Sequence, residues 1–216
     1  MPSRTWALVW PAVHEERRAL IDDLAAATPE QWSTPSLCSG WDVHDVVAHL
    51  IDSAKTTRAG FIGRLVAAWF DFDRDNAAGV ARERAATPAL TLAEFRRVLK
   101  ETKTPPASPA TRLVEAIVHG EDIRRPLGMT RAYPIGPVVM ALLYQLKAPV
   151  SMGGGRERAA PWRLVAVDSD VDQATGAVVR GSTVSLLLAI SGLPVGSDEF
   201  AGEGAAGFIR KLTLDG

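Results

Sequence analysis

The run Leu113-Val114-Glu115-Ala116-Ile117-Val118-His119 sets a carboxylate and an imidazole four residues apart inside an otherwise apolar stretch. On a helix this spacing puts both side chains on one face, one turn from each other. A glutamate among such neighbours is costly to bury without a compensating partner. Glutamate and histidine stacked on an inward face are a recurring way to build a metal site in a helical bundle. Asp122, three residues further on, lies close to the same stripe. An exposed polar stripe or a buried hydrogen-bonded pair would use the same spacing, so a ligand from another helix has to decide.

Four histidines exist: His14, His44, His49 and His119. His44 and His49 are five apart, roughly 140° around a helix of 3.6 residues per turn, so a straight helix cannot aim both at one ion. His49 sits within the apolar pattern three residues after Val46, and it is the candidate third ligand; a satisfied core histidine is the plainer alternative. His44 lies towards the polar side and is read as solvated.

Other motifs fail on context. His14-Glu15 begins like a zinc-protease helix, but Arg18 stands where the second histidine is required. Gly202-Glu203-Gly204-Ala205-Ala206-Gly207 spells a dinucleotide fingerprint with too little chain after it for a βαβ unit, and reads as a turn into a last helix. Gly153-Gly154-Gly155 lacks the lysine and serine of a phosphate loop and reads as a flexible loop. Cys38 has no neighbour in sequence that specifically lowers its pKa, and is read as inert. Arg82, Arg84 and Arg180 are conceivable anion-binding groups, with a surface or structural role as the simpler reading.

The elements that must position these residues are mostly helical. Trp10, Val13, Leu20, Ile21 and Leu24 mark an amphipathic first helix ending before Thr28-Pro29. After a turn-rich stretch, Ser33 to Gly40, Asp42 is placed to cap a helix carrying Val43, Val46, Val47, Leu50 and Ile51, with Asp45 near its positive end. The pattern resumes over Phe61 to Phe70, and again at Leu92, Phe95, Val98 and Leu99 after Thr91. Ser108 is expected to cap, and Pro109 to open, a helix running to about Arg124, where Arg124 and Arg125 meet its negative end. Pro137 to Leu146 suits one further helix. Beyond it, Trp162 to Val167 alternates like a strand, and Ala177 to Arg180 past a turn at Gly176 would close a hairpin. Ser182 to Ile190 and Gly204 to Leu212 read as helices. The expected domains are a helical bundle over 1–147, a linker loop over 148–161 and a small α+β subdomain over 162–216.

The chain has 216 residues, 47% apolar and 23% charged, which suits a globular protein with a real core. Its formal net charge of -1 offers no general attraction to nucleic acid or an anionic membrane. The single cysteine excludes an internal disulfide and a multi-cysteine zinc site. Met1 to Pro11 lacks the apolar stretch of a secretory signal, and no apolar run approaches membrane-spanning length, so the expected location is cytoplasmic.

Cys38-Ser39-Gly40-Trp41-Asp42-Val43-His44-Asp45-Val46-Val47-Ala48-His49-Leu50 resembles the G-W-x-V-x-D-V-V-A-H-L signature of the mycothiol-dependent maleylpyruvate isomerase family. The segment Glu115 to Gly128 is similar to that family's E-x-x-x-H-G-x-D block, and the tail from Trp162 to Leu188 also fits. The resemblance implies a mainly α fold, a DinB-like four-helix bundle followed by a small α+β C-terminal subdomain. It implies that His49, Glu115 and His119 bind a divalent ion, usually zinc, with one coordination position open; Asp122 is placed to orient a ligand or to reach the metal itself, the former being the favoured reading. It further implies mycothiol, the small thiol of an actinobacterial setting, as co-substrate. The thiol would be activated on the metal for isomerisation of an electrophilic small molecule or for transfer to it, in a monomer or homodimer. Metal-dependent hydrolysis by bound water and a non-catalytic metal- or ligand-binding role remain the alternatives.

Overall fold

Asp42 does cap the helix that carries His49. In the computed structural model, which describes residues 4–67, 69, 71–173 and 175–215, Asp42 accepts from the Asp45 backbone N–H, and Asp45 returns the bond to the Asp42 N–H. The first unit, residues 1–130, contains α1 (Arg4–Ala25), α2 (Pro29–Trp32), α3 (Val43–Lys55), α4 (Arg58–Ala67), α5 (Phe72–Glu83), α6 (Pro88–Val98) and α7 (Ala110–Arg124). The expected helix over Phe61 to Phe70 is interrupted after α4, and its Phe70 lies outside the described residues, as do Met1 to Ser3 of the N-terminal segment and Gly216 of the expected subdomain.

Four helices close a ring, since α1 packs on α6 and α7, and α3 packs on the same two. The reason is the apolar stripe on each. Val46, Val47, Leu50 and Ile51 of α3 recur at helical spacing and meet Leu20, Ile21 and Leu24 of α1, Phe95 and Val98 of α6 and Ile123 of α7 in one buried cluster. Against the outer side of α3 lies α5, and Gly79 permits that approach: a Cβ there would stand 2.6 Å from Asp52 Oδ2. Asp52 is held between Arg64 of α4 and Arg82 of α5.

Three local expectations change. His44 is buried, not solvated: its Nε2 lies 2.6 Å from Thr91 Oγ1, and its ring meets Trp32 edge-on. Thr91 does not precede α6 but lies within it, and Thr87 is the cap. No side chain caps α7; Ser108 offers its carbonyl to Thr111 instead. Arg124 also exceeds the dipole role expected of it. It is fully buried, pairing with Glu16 and, at 2.7 Å, with Asp23, both on α1.

The second compact unit begins at Arg131 rather than near residue 147, because α8 (Ile135–Gln145) packs against the later helix Thr183–Ser191. The stretch 148–161, expected to be a linker, is part of this packing. It holds a 3-10 turn and α9 (Arg156–Ala159), and side chains at Gly154 and Gly155 would collide with Ala148 and Ile190. The sheet comprises β1 (Trp162–Ala166), β2 (Asp172–Gln173) and β3 (Ala177–Gly181), in the order β2-β1-β3. β1 pairs antiparallel with β2 and parallel with β3, so the expected β1–β3 hairpin does not form; the two-residue β2 takes the hairpin position. Next come α10 (Thr183–Ser191) and α11 (Ala205–Asp215), and Gly202, at φ 103°, makes the turn before α11. No helix among the described residues is long and apolar enough to cross a membrane.

Removing one partner of a buried ion pair strands the other charge, at a cost of about 3–5 kcal/mol. Arg124→Ala is therefore expected to destabilise the bundle by about that amount in urea unfolding, with Arg124→Lys recovering part of it. His44 gives a pH signature. Burial, reinforced by the Arg84 charge, lowers its pKa below 6.5. The unfolded chain then takes up the proton first, so stability falls as pH drops through 6.5 and levels off below the folded pKa. Between pH 7.5 and 5.5, His44→Gln is expected to lose less stability than the wild type.

Candidate metal centre

The inward stripe of α7 needs partners from α3 and from the loop before it, and both supply them. Glu115 Oε1 accepts from Ser53 Oγ, and Glu115 Oε2 lies 3.0 Å from Arg112 Nη1, one turn earlier on α7. Arg112 also donates to Ser53 Oγ at 2.7 Å. Burial alone would raise the Glu115 pKa. The Arg112 charge, His49, the Ser53 hydroxyl and His119 together outweigh it and hold the carboxyl below its ordinary value. Glu115 is thus an ionised carboxylate in a nearly dry setting.

His49 approaches from α3. Its ring centroid is 4.9 Å from that of His119, edge to face, and 5.2 Å from that of Trp41. Nδ1 of His49 is buried with no hydrogen-bond partner. Burial, then the charge of His119, lowers the His49 pKa to about 4, so at neutral pH the imidazole keeps a lone pair available.

His119 is arranged in the opposite sense. Its Nδ1 is 2.7 Å from Asp122 Oδ2. Burial opposes its charge, but the hydrogen bonds and charges of Asp122 and Cys38 prevail and raise its pKa to about 10. A carboxylate on one ring nitrogen fixes the ring and leaves the other nitrogen for a ligand.

Cys38 arrives on the loop between α2 and α3. Ser36 Oγ donates to the Trp41 carbonyl at 2.9 Å and accepts from the Cys38 N–H at 3.2 Å, while the Leu37 N–H reaches the Asp122 carbonyl at 3.3 Å. Gly40, at φ 79°, allows the tight return to α3. The Cys38 thiol donates to Asp122 Oδ2 at 3.1 Å, and burial raises its pKa.

The structure therefore sets Glu115, His49, His119 and Asp122 along the α3–α7 contact, with Glu115 beside Ser53, His49 beside His119 and Asp122 beside Cys38. Among the described residues, however, the tightest set of metal-type ligand atoms is Cys38, His119 and Asp122. Glu115 is taken up by Arg112 and Ser53, and His49 lies outside that set. Arg82 and Arg84 serve structure: Arg84 clamps Asp42 and Asp45 at the start of α3. Sequence reasoning missed Ser53, Arg112 and Trp41. The i,i+3 spacing of Arg112 and Glu115 was a usable signal; the approach of Cys38 to His119 across 81 residues had none.

A four-helix ring with an inward histidine–glutamate stripe on one helix and a histidine on a neighbour defines a helical-bundle protein whose α3–α7 contact carries imidazole and carboxylate donor groups. Residues 13–104 match the family model of the mycothiol maleylpyruvate isomerase N-terminal domain, which bears out the family resemblance of the sequence. That segment includes His49 and ends before α7. Two solved structures of the mycothiol-dependent maleylpyruvate isomerase share the fold, one of them a mutant with a histidine replaced by alanine. The mutant aligns with a TM-score of 0.61 and the other with 0.62, each at 16% identity over 93% of both chains. The DinB-like bundle followed by a small α+β unit is the fold expected. No curated protein sequence matches the chain closely.

A base whose pKa is raised on folding contributes stability below its unfolded pKa, here about 6.5, and loses it as pH climbs through the folded value, about 10. In metal-free protein, Asp122→Asn is expected to bring the His119 pKa down and to remove this stabilisation. Imidazole proton shifts followed from pH 5 to 11 measure it directly; an unmoved titration would exclude Asp122 as the cause.

Proposed function

We propose that the chain is a divalent-metal-dependent enzyme using a small thiol, with His49, Glu115 and His119 holding the ion. The observation that carries this reading is the buried His49 Nδ1 without a partner, beside His119 and the ionised Glu115. A neutral imidazole, a carboxylate and a second imidazole make a zinc-type ligand set that leaves a position open. When bound, the ion would lower the pKa of an incoming thiol and keep it available as thiolate at neutral pH.

The chain's own residues do the rest. Arg112 and Ser53 fix the Glu115 carboxylate and keep it ionised. Asp122 orients the His119 ring and accepts the Nδ1 proton. Trp41 packs its ring against that of His49 and restricts its orientation. The family match and the shared fold support mycothiol as the thiol, and an electrophilic small molecule that the thiolate adds to and leaves, as in an isomerisation. Transfer, in which the adduct is kept, uses the same first step.

His49→Ala and Glu115→Ala are each expected to lose stoichiometric metal and thiol-dependent activity together, measured by elemental analysis and by conjugation to a model electrophile. Asp122→Asn should weaken metal binding about 10–100-fold, the usual scale for a group that orders a ligand. In cobalt-loaded protein, mycothiol should add a sulfur-to-cobalt charge-transfer band in the Cys38→Ser background that His49→Ala removes. Stoichiometric cobalt with no new band would leave hydrolysis by bound water or simple binding as the function.

A further inference from the structure

The Nδ1 edge of His119 carries a ligand set of its own. Asp122 Oδ2 lies 2.7 Å from His119 Nδ1, Cys38 Sγ lies 3.1 Å from that carboxylate oxygen, and Cys38 Sγ lies 3.8 Å from His119 Nδ1. Three donor atoms at about 2.0–2.3 Å from one tetrahedral ion stand roughly 3.3–3.8 Å apart, so small shifts would bring these three onto a common cation. A second observation points the same way. Asp122 is fully buried, and its Oδ1 has no hydrogen-bond partner. A buried carboxylate oxygen without a donor is costly, and a cation chelated by both oxygens of Asp122 would satisfy it.

We propose that Cys38, His119 Nδ1 and Asp122 form a second cation pocket, distinct from the ion assigned to His49, Glu115 and His119. The sulfur ligand selects soft or borderline ions, Cd2+ and Zn2+ ahead of Mg2+ or Ca2+. An ion entering there displaces the Cys38 thiol proton and the proton between His119 and Asp122. With the first site also filled, the second ring proton would leave to solvent as well, and His119 would hold one ion on each nitrogen as an imidazolate. The pocket does not depend on the first site, because neither His49 nor Glu115 contributes to it.

The test is Cd2+ titration of metal-free, full-length protein in thiol-free buffer, read by sulfur-to-cadmium absorbance and by cadmium NMR. Cys38 is the single cysteine, so any such band reports it alone. The wild type is expected to saturate at one sulfur-bound Cd2+ per chain. His49→Ala should keep the band, Asp122→Asn should weaken binding at least tenfold, and Cys38→Ser, checked for folding by circular dichroism, should show no band. A wild type with no band and no sulfur-shifted cadmium resonance would overturn the proposal. So would a band lost in His49→Ala, which would make Cys38 a further ligand of the first ion. Binding by Cys38→Ser that His49→Ala abolishes reports on the first site separately, and its failure would leave this pocket standing.

Discussion

An ionised side chain can be taken out of water only where opposite charge or hydrogen-bond donors replace its hydration. Helix α7 makes this constraint acute, because Arg112, Glu121, Asp122 and Arg124 are all buried on it and Glu115 nearly so. Each demands an answer from elsewhere in the unit. Ser53 on α3 answers Glu115, Glu16 and Asp23 on α1 answer Arg124, and the loop before α3 answers the Asp122 carboxylate through the Cys38 thiol. The neighbours of α7 are thus specified by polar matching as well as by apolar area. Matching of this kind fixes rotation and register in a way that interchangeable leucines do not.

The same matching sets up an electrostatic contrast across a few ångströms. His49 and His119 face each other, yet one is held neutral by burial and the other charged by its carboxylate. Each charge state makes the other easier: a protonated His119 disfavours a second proton on His49. One ring therefore offers a free lone pair while the other has a proton to give up on ligand binding. Two residues of the same type acquire opposite roles from their surroundings alone.

Much of the bundle was legible in the sequence because its signals are local. The Asp42 cap, the α3 stripe and the i,i+4 placement of Glu115 and His119 all lie within a few residues, and helical periodicity reads them directly. What escaped is what depends on distant partners. His44 looks polar on a helical wheel, but Thr91 and Trp32 give it a hydrogen bond and an edge contact that make burial affordable. The strand order escaped for a related reason: period-2 alternation identifies β1 and β3 but carries no information on whether they pair parallel or antiparallel. Gly153-Gly154-Gly155 read as flexible because glycine permits motion; Gly154 and Gly155 instead permit contact, and Gly153 a left-handed φ of 74°.

The ring of four helices is closed by contacts between the first and the last of them, and the loop they enclose spans Glu16 to Arg124. A chain emerging from the ribosome would display the apolar faces of α1, α3 and α6 before α7 exists to cover them. Contacts of such long sequence separation form late, since the closure entropy must be met first. Until then the unit is an open trough rather than a barrel of helices, and chaperone binding during synthesis would concentrate on the interval before residue 124 has cleared the exit tunnel.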